Sequence, residues 1–390
     1  KIDKLARSGL ILSQHYVHPT CTPSRAALMT GRYSVNTGLT FAMYPGSVAG
    51  LPPDMVTLPQ LMRRAGYRAH MVGKWHLGHA QPKQGPIGRG FESHTGSYMW
   101  DLESYTKLMW NMPWGPPFGA DWVTSHENGT SRHFGEPRHS TVALTSEALR
   151  VMDRHSAEEE TSPLFLYLSY NAAHSPLQPE PEWLDKCGHI SHLWRRQFCG
   201  MVTGLDENID KVVSGARSAL GENTLVIVSS DNGGAPHFGG LNQPLRSGKH
   251  TSFEGGVRVP AVALDLSGGN YLGQPGREVD SLIHVSDWMP TFLVLADQKQ
   301  VLKALHHVRL DQSGRSVRSI VSETLVRLGL SFQPQKYNQV NAMILQHKQR
   351  SKHEVGHFPP QDGVVVVVVI VVVVVVVVVI AVVVVVVSVV

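Results

Sequence analysis

A cysteine at the start of a predicted helix is the first residue in this sequence whose position could support nucleophilic chemistry. Cys21 stands two residues before Pro23, which suits the first turn of a helix, and four residues before Arg25. A thiol at a helix N-terminus is expected to have a lowered pKa and nucleophilic character. The alternative is a small buried residue, which is a common fate of free cysteine.

Lysine and histidine side chains could bind an anion near this nucleophile. Lys74 and His76 are two residues apart, so on an extended segment both side chains point to the same side and can address one anionic group. His174 precedes Ser-Pro, and Lys249 lies between a glycine and a histidine. Each of these two residues could join the same site or be an ordinary loop residue.

Asp231 and Asn232 are followed by two glycines, which places a carboxylate and an amide oxygen on a tight turn. Oxygen donors of this kind suit a hard cation such as calcium or magnesium. An Asn-Gly turn without any metal would explain Asn232 and the following glycine equally well.

Three predicted strands would position these residues at one edge of a sheet. Each strand is an apolar run that ends within a few residues of a polar group named above, and the runs are 67–72, 164–168 and 224–228. Open, largely parallel sheets bind ligands at the carboxyl ends of their strands. The pattern therefore predicts an α/β fold, in which helices flank a largely parallel mixed sheet with one convergent site.

Helical spacing and apolar runs predict the remaining elements. Helices are expected over 1–8, 57–65, 140–155 and 192–220, further strands over 10–17 and 257–266, and long surface loops over 79–140.

Composition excludes some classes of protein. The chain has 390 residues, of which 42% are hydrophobic and 17% charged, so it is not a disordered chain. A net charge of +4 without a basic stripe gives no reason to expect a nucleic-acid partner.

The final 27 residues, 364–390, are almost entirely valine. This run is long enough to span a bilayer, but β-branched side chains make a poor helix. We therefore interpret it as a low-complexity tail, produced by a translated nucleotide repeat or an error in the gene model, and expect no membrane contact unless the tail is genuine.

Five strings in the sequence resemble the active-site segments of one enzyme family. The string Cys-Thr-Pro-Ser-Arg at 21–25 resembles the sulfatase signature Cys-x-Pro-x-Arg, and the others follow in the family's order: Gly-Lys-Trp-His at 73–76, Ala-His-Ser-Pro at 173–176, Ser-Asp-Asn-Gly-Gly at 230–234 and Arg-Ser-Gly-Lys at 246–249. The similarity covers about residues 1–295 and is closest to the arylsulfatase B branch of the sulfatase family. The resemblance implies the alkaline-phosphatase-like sulfatase fold.

The resemblance also implies a modified nucleophile. In sulfatases the signature cysteine is oxidised to Cα-formylglycine in the endoplasmic reticulum by the formylglycine-generating enzyme, so Cys21 would be converted. One hydroxyl of the hydrated aldehyde would attack the sulfur of a sulfate ester, and Arg25 would hold the hydrate. His76 would then accept the proton of the second hydroxyl, which expels sulfate.

The other matching residues would bind the substrate and a metal ion. Lys74 would contact the sulfate oxygens, and His174 and Lys249 would bind sulfate and help to protonate the leaving oxygen. One calcium ion would be held by Asp231, Asn232 and an oxygen of the modified Cys21. The implied substrate is an aryl sulfate or a sulfated carbohydrate such as a glycosaminoglycan sugar.

The chain departs from the family pattern at both ends. The family's first strand, with paired aspartates that supply the other metal ligands, has no counterpart before Lys1. The family's small C-terminal subdomain is not recognisable after about residue 295. We therefore predict a catalytic domain lacking its first strand at 1–295, an unassigned segment at 296–363 and the poly-valine tail at 364–390.

Two features agree with a lysosomal or secreted protein that passes through the endoplasmic reticulum. Asn128 begins an Asn-Gly-Thr glycosylation sequon. Cys187 and Cys199 remain to form a disulfide if Cys21 is modified, although two free thiols are equally compatible with the sequence.

Two other functions remain open. A catalytically dead fragment that binds sulfated glycans would explain the absent aspartates. A phosphate- or phosphonate-ester hydrolase of the same fold is the other alternative, but related phosphatases use an unmodified serine or threonine.

Overall fold

The centre of the fold is a ten-stranded sheet whose inner strands include the most apolar segments of the sequence. The computed structural model describes residues 1–100, 102–109, 119–132, 137–158, 162–269, 272–296 and 383–389. They belong to one compact unit made from residues 1–297 and 374–390, and the second unit, 298–373, lies outside the described residues. The predicted segment 296–363 therefore lies outside them as well, apart from its first residue.

The described residues form strands β1 to β14, which are numbered along the chain. Their bounds are Leu10–Leu12, His15–Tyr16, Arg68–Gly73, Ser93–Gly96, Leu108–Met109, Gly119–Ala120, Val123–His126, Gly129–Arg132, Leu164–Ser169, Thr224–Ser230, Ala261–Asp265, Arg277–Val279, Ile283–His284 and Val383–Val389.

The same residues form helices α1 to α9 and four 3-10 turns. The helices are Ile2–Arg7, Cys21–Thr30, Ser34–Thr37, Leu58–Arg64, Ser140–Ala157, Pro181–Asp185, Leu193–Leu220, Glu254–Val257 and Trp288–Ala296. The 3-10 turns are Pro82–Gln84, Ile87–Arg89, Pro236–Phe238 and Val285–Asp287.

The strand order of the large sheet is β12-β1-β11-β10-β14-β9-β3-β4-β7-β8. The central strands β10, β14, β9, β3 and β4 are parallel to one another, whereas β11 and β7 flank them antiparallel. Parallel strands place their carboxyl ends at the same edge of the sheet, where ligands bind in folds of this kind. The predicted α/β fold with a largely parallel mixed sheet is therefore confirmed.

Both faces of the sheet are covered, as the continuous apolar strands predict. The leucines at alternate positions of β9 join a core cluster with side chains of α5 and α7. On the opposite face, the rings of Phe165 and Tyr167 lie 6.3 and 6.4 Å from the ring of Phe91. Phe292 of α9 packs on Phe165 at 6.3 Å, so α9 belongs to this second layer.

Two predicted strands differ from the structure. The segment 10–17 is divided by a turn at Ser13 and Gln14, and β2 pairs with β13 in a separate small sheet. In the segment 257–266, Val257 ends α8 and the strand begins only at Ala261. Pro260 explains this late start, because proline has no N–H to donate to a neighbouring strand.

The valine run contributes a central strand. Val383–Val389 forms β14, which is parallel to β10 on one side and to β9 on the other. Val384 to Val387 are buried there. Among the helices that the structure describes, none is long and apolar enough to cross a membrane.

Candidate active site

The guanidinium of Arg25 joins the carboxyl ends of three strands. Its Nη1 donates to the carbonyl oxygen of Lys74, which follows β3, and to the hydroxyl of Ser169, the last residue of β9. Its Nε donates to Oδ2 of Asp231, which follows β10, at 3.0 Å. Arg25 extends from α2 and is buried, so it ties this helix to the edge of the sheet where the predicted residues converge.

The close approach of β3 and β9 depends on a glycine. Gly73 has a φ of 109°, and a Cβ atom built on it would lie 1.8 Å from the carbonyl oxygen of Ser169. Any other residue would push the two strand ends apart. Three residues further on, His76 has a φ of 58°, which is uncommon for a non-glycine residue. Conformations of this kind are frequent at functional sites, where the surrounding structure holds them.

Cys21 is the first residue of α2, which agrees with the predicted position of the thiol at a helix N-terminus. Its side chain is buried, and Sγ donates a hydrogen bond to Oδ1 of Asn232 at 3.3 Å. The predicted nucleophile therefore lies in direct contact with one of the predicted metal ligands.

Lys74 is a second buried cation of the site, beside Arg25. Its side chain is fully buried, and among the described residues Nζ has no hydrogen-bond partner. Burial lowers the pKa of Lys74 to about 8. A buried ammonium group without a partner is unfavourable, so an anion that contacts Nζ would relieve this cost.

His76 has one nitrogen free to accept a proton. Its Nε2 lies 2.9 Å from the carbonyl oxygen of Met43, which can only accept, so Nε2 carries the proton of the neutral imidazole. Nδ1 is buried and has no hydrogen-bond partner among the described residues. Burial, reinforced by the charge of Lys74, holds the pKa of His76 well below its usual value. The unprotonated Nδ1 is therefore available as a base.

His174 and Lys249 lie on the loops that follow β9 and β10. Nδ1 of His174 donates to the carbonyl oxygen of Ser175 at 2.9 Å. Burial, followed by the charges of Lys249 and Lys74, holds the pKa of His174 well below its usual value. Lys249 is half-buried, and its backbone N–H donates to the carbonyl oxygen of Gly234. His174 is therefore neutral before substrate binds.

The predicted calcium ligands form only part of a metal site. Oδ1 of Asp231 is buried without a hydrogen-bond partner among the described residues, which suits a cation, but Oδ2 is paired with Arg25 at 2.9 Å. Calcium takes 6–8 oxygen ligands. Within the described ranges, no three His, Cys, Asp or Glu side chains are grouped to hold a metal ion. The residues that the structure describes therefore do not fit a complete calcium site.

No motif in the sequence points to the contacts that orient His76 and His174. The carbonyl of Met43 also accepts from Nε1 of Trp100 at 3.1 Å. The ring of Trp100 lies 5.4 Å from that of His174 and 6.5 Å from that of His76. The hydroxyl of Thr22 accepts from the N–H of Met43 and donates to the carbonyl of His76. Met43 and Trp100 lie in loops without a motif, so only the tertiary structure reveals their roles.

The structure places the glycosylation sequon at the surface and joins the two remaining cysteines. Asn128 lies in the exposed turn between β7 and β8, where a glycan could attach without displacing the core. Cys187 and Cys199 form a disulfide, with their Cα atoms 6.1 Å apart.

The sheet, the helix that carries the cysteine and the cluster at the strand ends define a sulfatase-type domain. A family model described as Sulfatase matches residues 1–298, and the chain belongs to the sulfatase family.

Several known proteins are similar to this chain. Arylsulfatase J of Mus musculus is 37% identical over 299 residues, which cover 76% of this chain and 48% of that protein. N-acetylgalactosamine-6-sulfatase of Mus musculus is 33% identical over 317 residues, covering 76% and 58%. The crystal structure of Ps i-CgsB in complex with k-i-k-neocarrahexaose has a TM-score of 0.68 and 32% identity, and the match covers 76% of this chain and 65% of that one. The chain spans about half the length of the curated relatives.

Proposed function

We propose that the protein hydrolyses sulfate esters with a nucleophile derived from Cys21. The observation that carries this proposal is the buried Lys74 ammonium, which lacks a hydrogen-bond partner among the described residues, in the same strand-end cluster as the buried Cys21. Membership of the sulfatase family gives the cluster its chemistry. Formylglycine at position 21, produced by the formylglycine-generating enzyme, would supply as its hydrate an oxygen nucleophile for the sulfur of the ester.

The residues around Cys21 would position the reacting groups and move protons. Arg25 would orient the hydroxyl groups at position 21, while Lys74 would neutralise a sulfate oxygen. Nδ1 of His76 would accept the proton of a hydroxyl at position 21 when sulfate leaves. The negative charge of bound sulfate would raise the pKa of His174, which would allow it to protonate the leaving alcohol together with Lys249.

A sulfated carbohydrate is the substrate class that we propose. One relative is named N-acetylgalactosamine-6-sulfatase, and the similar crystal structure contains a neocarrahexaose. A glycosaminoglycan sugar or a synthetic aryl sulfate would present the same sulfate ester to Lys74. The disulfide and the exposed sequon support passage through the endoplasmic reticulum to the lysosome or the cell exterior.

Calcium remains part of the proposal only as a family expectation. Asp231 and Asn232 would supply two oxygen ligands, and the modified Cys21 a third. The incomplete set of oxygen ligands among the described residues favours the alternative of a catalytically dead protein that binds sulfated glycans. The cysteine at position 21 disfavours a phosphate- or phosphonate-ester hydrolase, because related phosphatases use serine or threonine there.

The test is to produce the full chain together with the formylglycine-generating enzyme and to measure cleavage of 4-nitrophenyl sulfate. We expect an aldehyde at position 21, detected by mass and by hydrazide capture. Replacement Cys21→Ala should abolish both capture and cleavage, whereas Val35→Ala, at an exposed position, should change neither. Glycan binding without cleavage in an aldehyde-containing preparation would favour the dead protein. Cleavage by a preparation with an intact thiol would contradict the formylglycine mechanism.

A further inference from the structure

Two large aromatic side chains are exposed on the loop that holds His76. Phe41 and Tyr44 are 50% and 62% exposed, and their ring centroids lie 6.5 Å apart. Met43, between them, has a buried side chain, and its carbonyl contacts Nε2 of His76 at 2.9 Å. The two rings therefore belong to the same short segment that fixes the proposed base of the active site.

A third ring connects this segment to the other side of the site. The imidazole of His250 stacks on the ring of Phe41 with 6.0 Å between centroids. His250 directly follows Lys249, and its backbone N–H donates to the carbonyl oxygen of Pro19, two residues before Cys21. The three rings thus connect the loop of Met43 to the loop of Lys249, which is hydrogen-bonded to the segment that leads into Cys21.

We infer that Phe41, Tyr44 and His250, here called the aromatic rim, form a subsite for a pyranose ring next to the sulfated sugar. This inference rests on the proposed function. Aromatic faces bind the apolar C–H face of a sugar, and the hydroxyl of Tyr44 can bond to a sugar hydroxyl. Large apolar rings that cluster at the surface commonly mark a binding site.

The charge of the neighbouring groups selects the kind of saccharide. Lys249 adjoins His250, and the charges of Lys249 and Lys74 both act on His174. A neutral oligosaccharide would gain nothing from these cations, whereas a sulfated one would place its anionic group among them. The rim would then contact the sugar that follows the sulfate ester and would not contact a small aryl sulfate.

The experiment compares a sulfated chondroitin tetrasaccharide with 4-nitrophenyl sulfate. In the double variant Phe41→Ala, Tyr44→Ala, we expect the ratio of kcat/KM for the tetrasaccharide to kcat/KM for the aryl sulfate to fall about tenfold. Phe41→Tyr, which retains the ring, should preserve most of the ratio, and Val35→Ala should preserve all of it. An unchanged ratio, whether neither value of kcat/KM falls or both fall equally, would overturn the subsite.

A binding measurement separates this inference from the proposed function. Calorimetric titration of the same tetrasaccharide into the full chain with Cys21→Ala requires no turnover. Rim substitutions in that background should weaken the Kd about tenfold, and an unchanged Kd would overturn the subsite. If the unsubstituted protein cleaves neither substrate while binding still depends on the rim, the hydrolase proposal fails and the subsite stands.

Discussion

Arg25 and Asp231 form a buried ion pair at the end of β10. Nη2 and Nε of Arg25 lie 2.9 and 3.0 Å from the same carboxylate oxygen, and the two side chains are 1% and 3% exposed. The pair links α2, which begins with Cys21, to the sheet. Because Asp231 is also a predicted metal ligand, the pair both holds α2 to the sheet and reduces the negative charge available to a cation.

Breaking this ion pair should destabilise the fold strongly. Arg25→Met would leave the Asp231 carboxylate buried without its partner, which typically lowers the free energy of unfolding by about 3–5 kcal/mol. Urea unfolding would measure the change.

Two further variants distinguish the loss of pairing from the loss of arginine contacts. The double variant Arg25→Met, Asp231→Asn should recover part of the stability, because neither position then carries an unpaired buried charge. Arg63→Met, which removes an exposed arginine that pairs with Glu127 and, at a longer distance, with Glu92, should have a much smaller effect. A double variant less stable than Arg25→Met would show that the pairing is not the source of the loss.

Sulfate-ester cleavage should weaken in alkaline solution because of Lys74. With a pKa of about 8, its ammonium is charged below pH 8 and loses its proton above it. The value of kcat/KM, which reports the free enzyme, should therefore fall above about pH 8, whereas kcat should fall at a higher pH because bound sulfate retains the proton.

The variant Lys74→Arg keeps its charge at all these pH values. Its kcat/KM should be lower at pH 7, because the guanidinium has a different shape, but it should not show the alkaline decline. The same decline in this variant would assign the titration to another group.

His15 should make the protein less stable in mildly acidic solution. It is fully buried, its Nε2 accepts from Nε1 of Trp288 at 2.9 Å, and burial lowers its pKa to about 4. A proton on Nε2 would point at the N–H of Trp288, and this hydrogen bond would be lost. Between pH 6.5 and 4 the unfolded chain binds a proton at His15 that the folded protein excludes. The free energy of unfolding therefore falls by roughly 2 kcal/mol as the pH is lowered from 7 to 5.

Unfolding in urea at pH 7, 6 and 5 would check this linkage. His15→Gln, whose amide oxygen can still accept from Trp288, should lose less stability over that range than the unsubstituted protein. His189→Gln, at an exposed position, should lose as much as the unsubstituted protein. Equal pH dependence in the two variants would exclude His15 as the source.

The strand ends of the site were predictable because each polar residue follows an apolar strand within a few residues. Lys74, His174 and Asp231 follow β3, β9 and β10 as expected. The orientation of His76 was not predictable, because it depends on Met43 and on a loop with no periodicity. The aromatic rim was not predictable either, because its three residues lie in loops and come together only in the folded chain.

The position of β14 could not be inferred for a different reason. Alternation of polar and apolar residues specifies which face of a strand is buried and in which register it pairs. A run of valines lacks such alternation. Only Ser388 breaks the pattern within β14, and it pairs with Ser229 and Ser169 on the two sides.

Because β14 is central, a charge placed in it should destabilise the whole sheet. Val385 is fully buried and pairs with Val226 on β10 and Leu166 on β9. Val385→Asp would bury an unpaired carboxylate, and a shift in register by one or two residues would keep that carboxylate within the strand. We expect the free energy of unfolding in urea to fall by more than about 3 kcal/mol.

The same change at an exposed valine, Val35→Asp, should alter it by less than about 0.5 kcal/mol. Equal stability of the two variants would mean that the valine strand contributes nothing to the fold in solution.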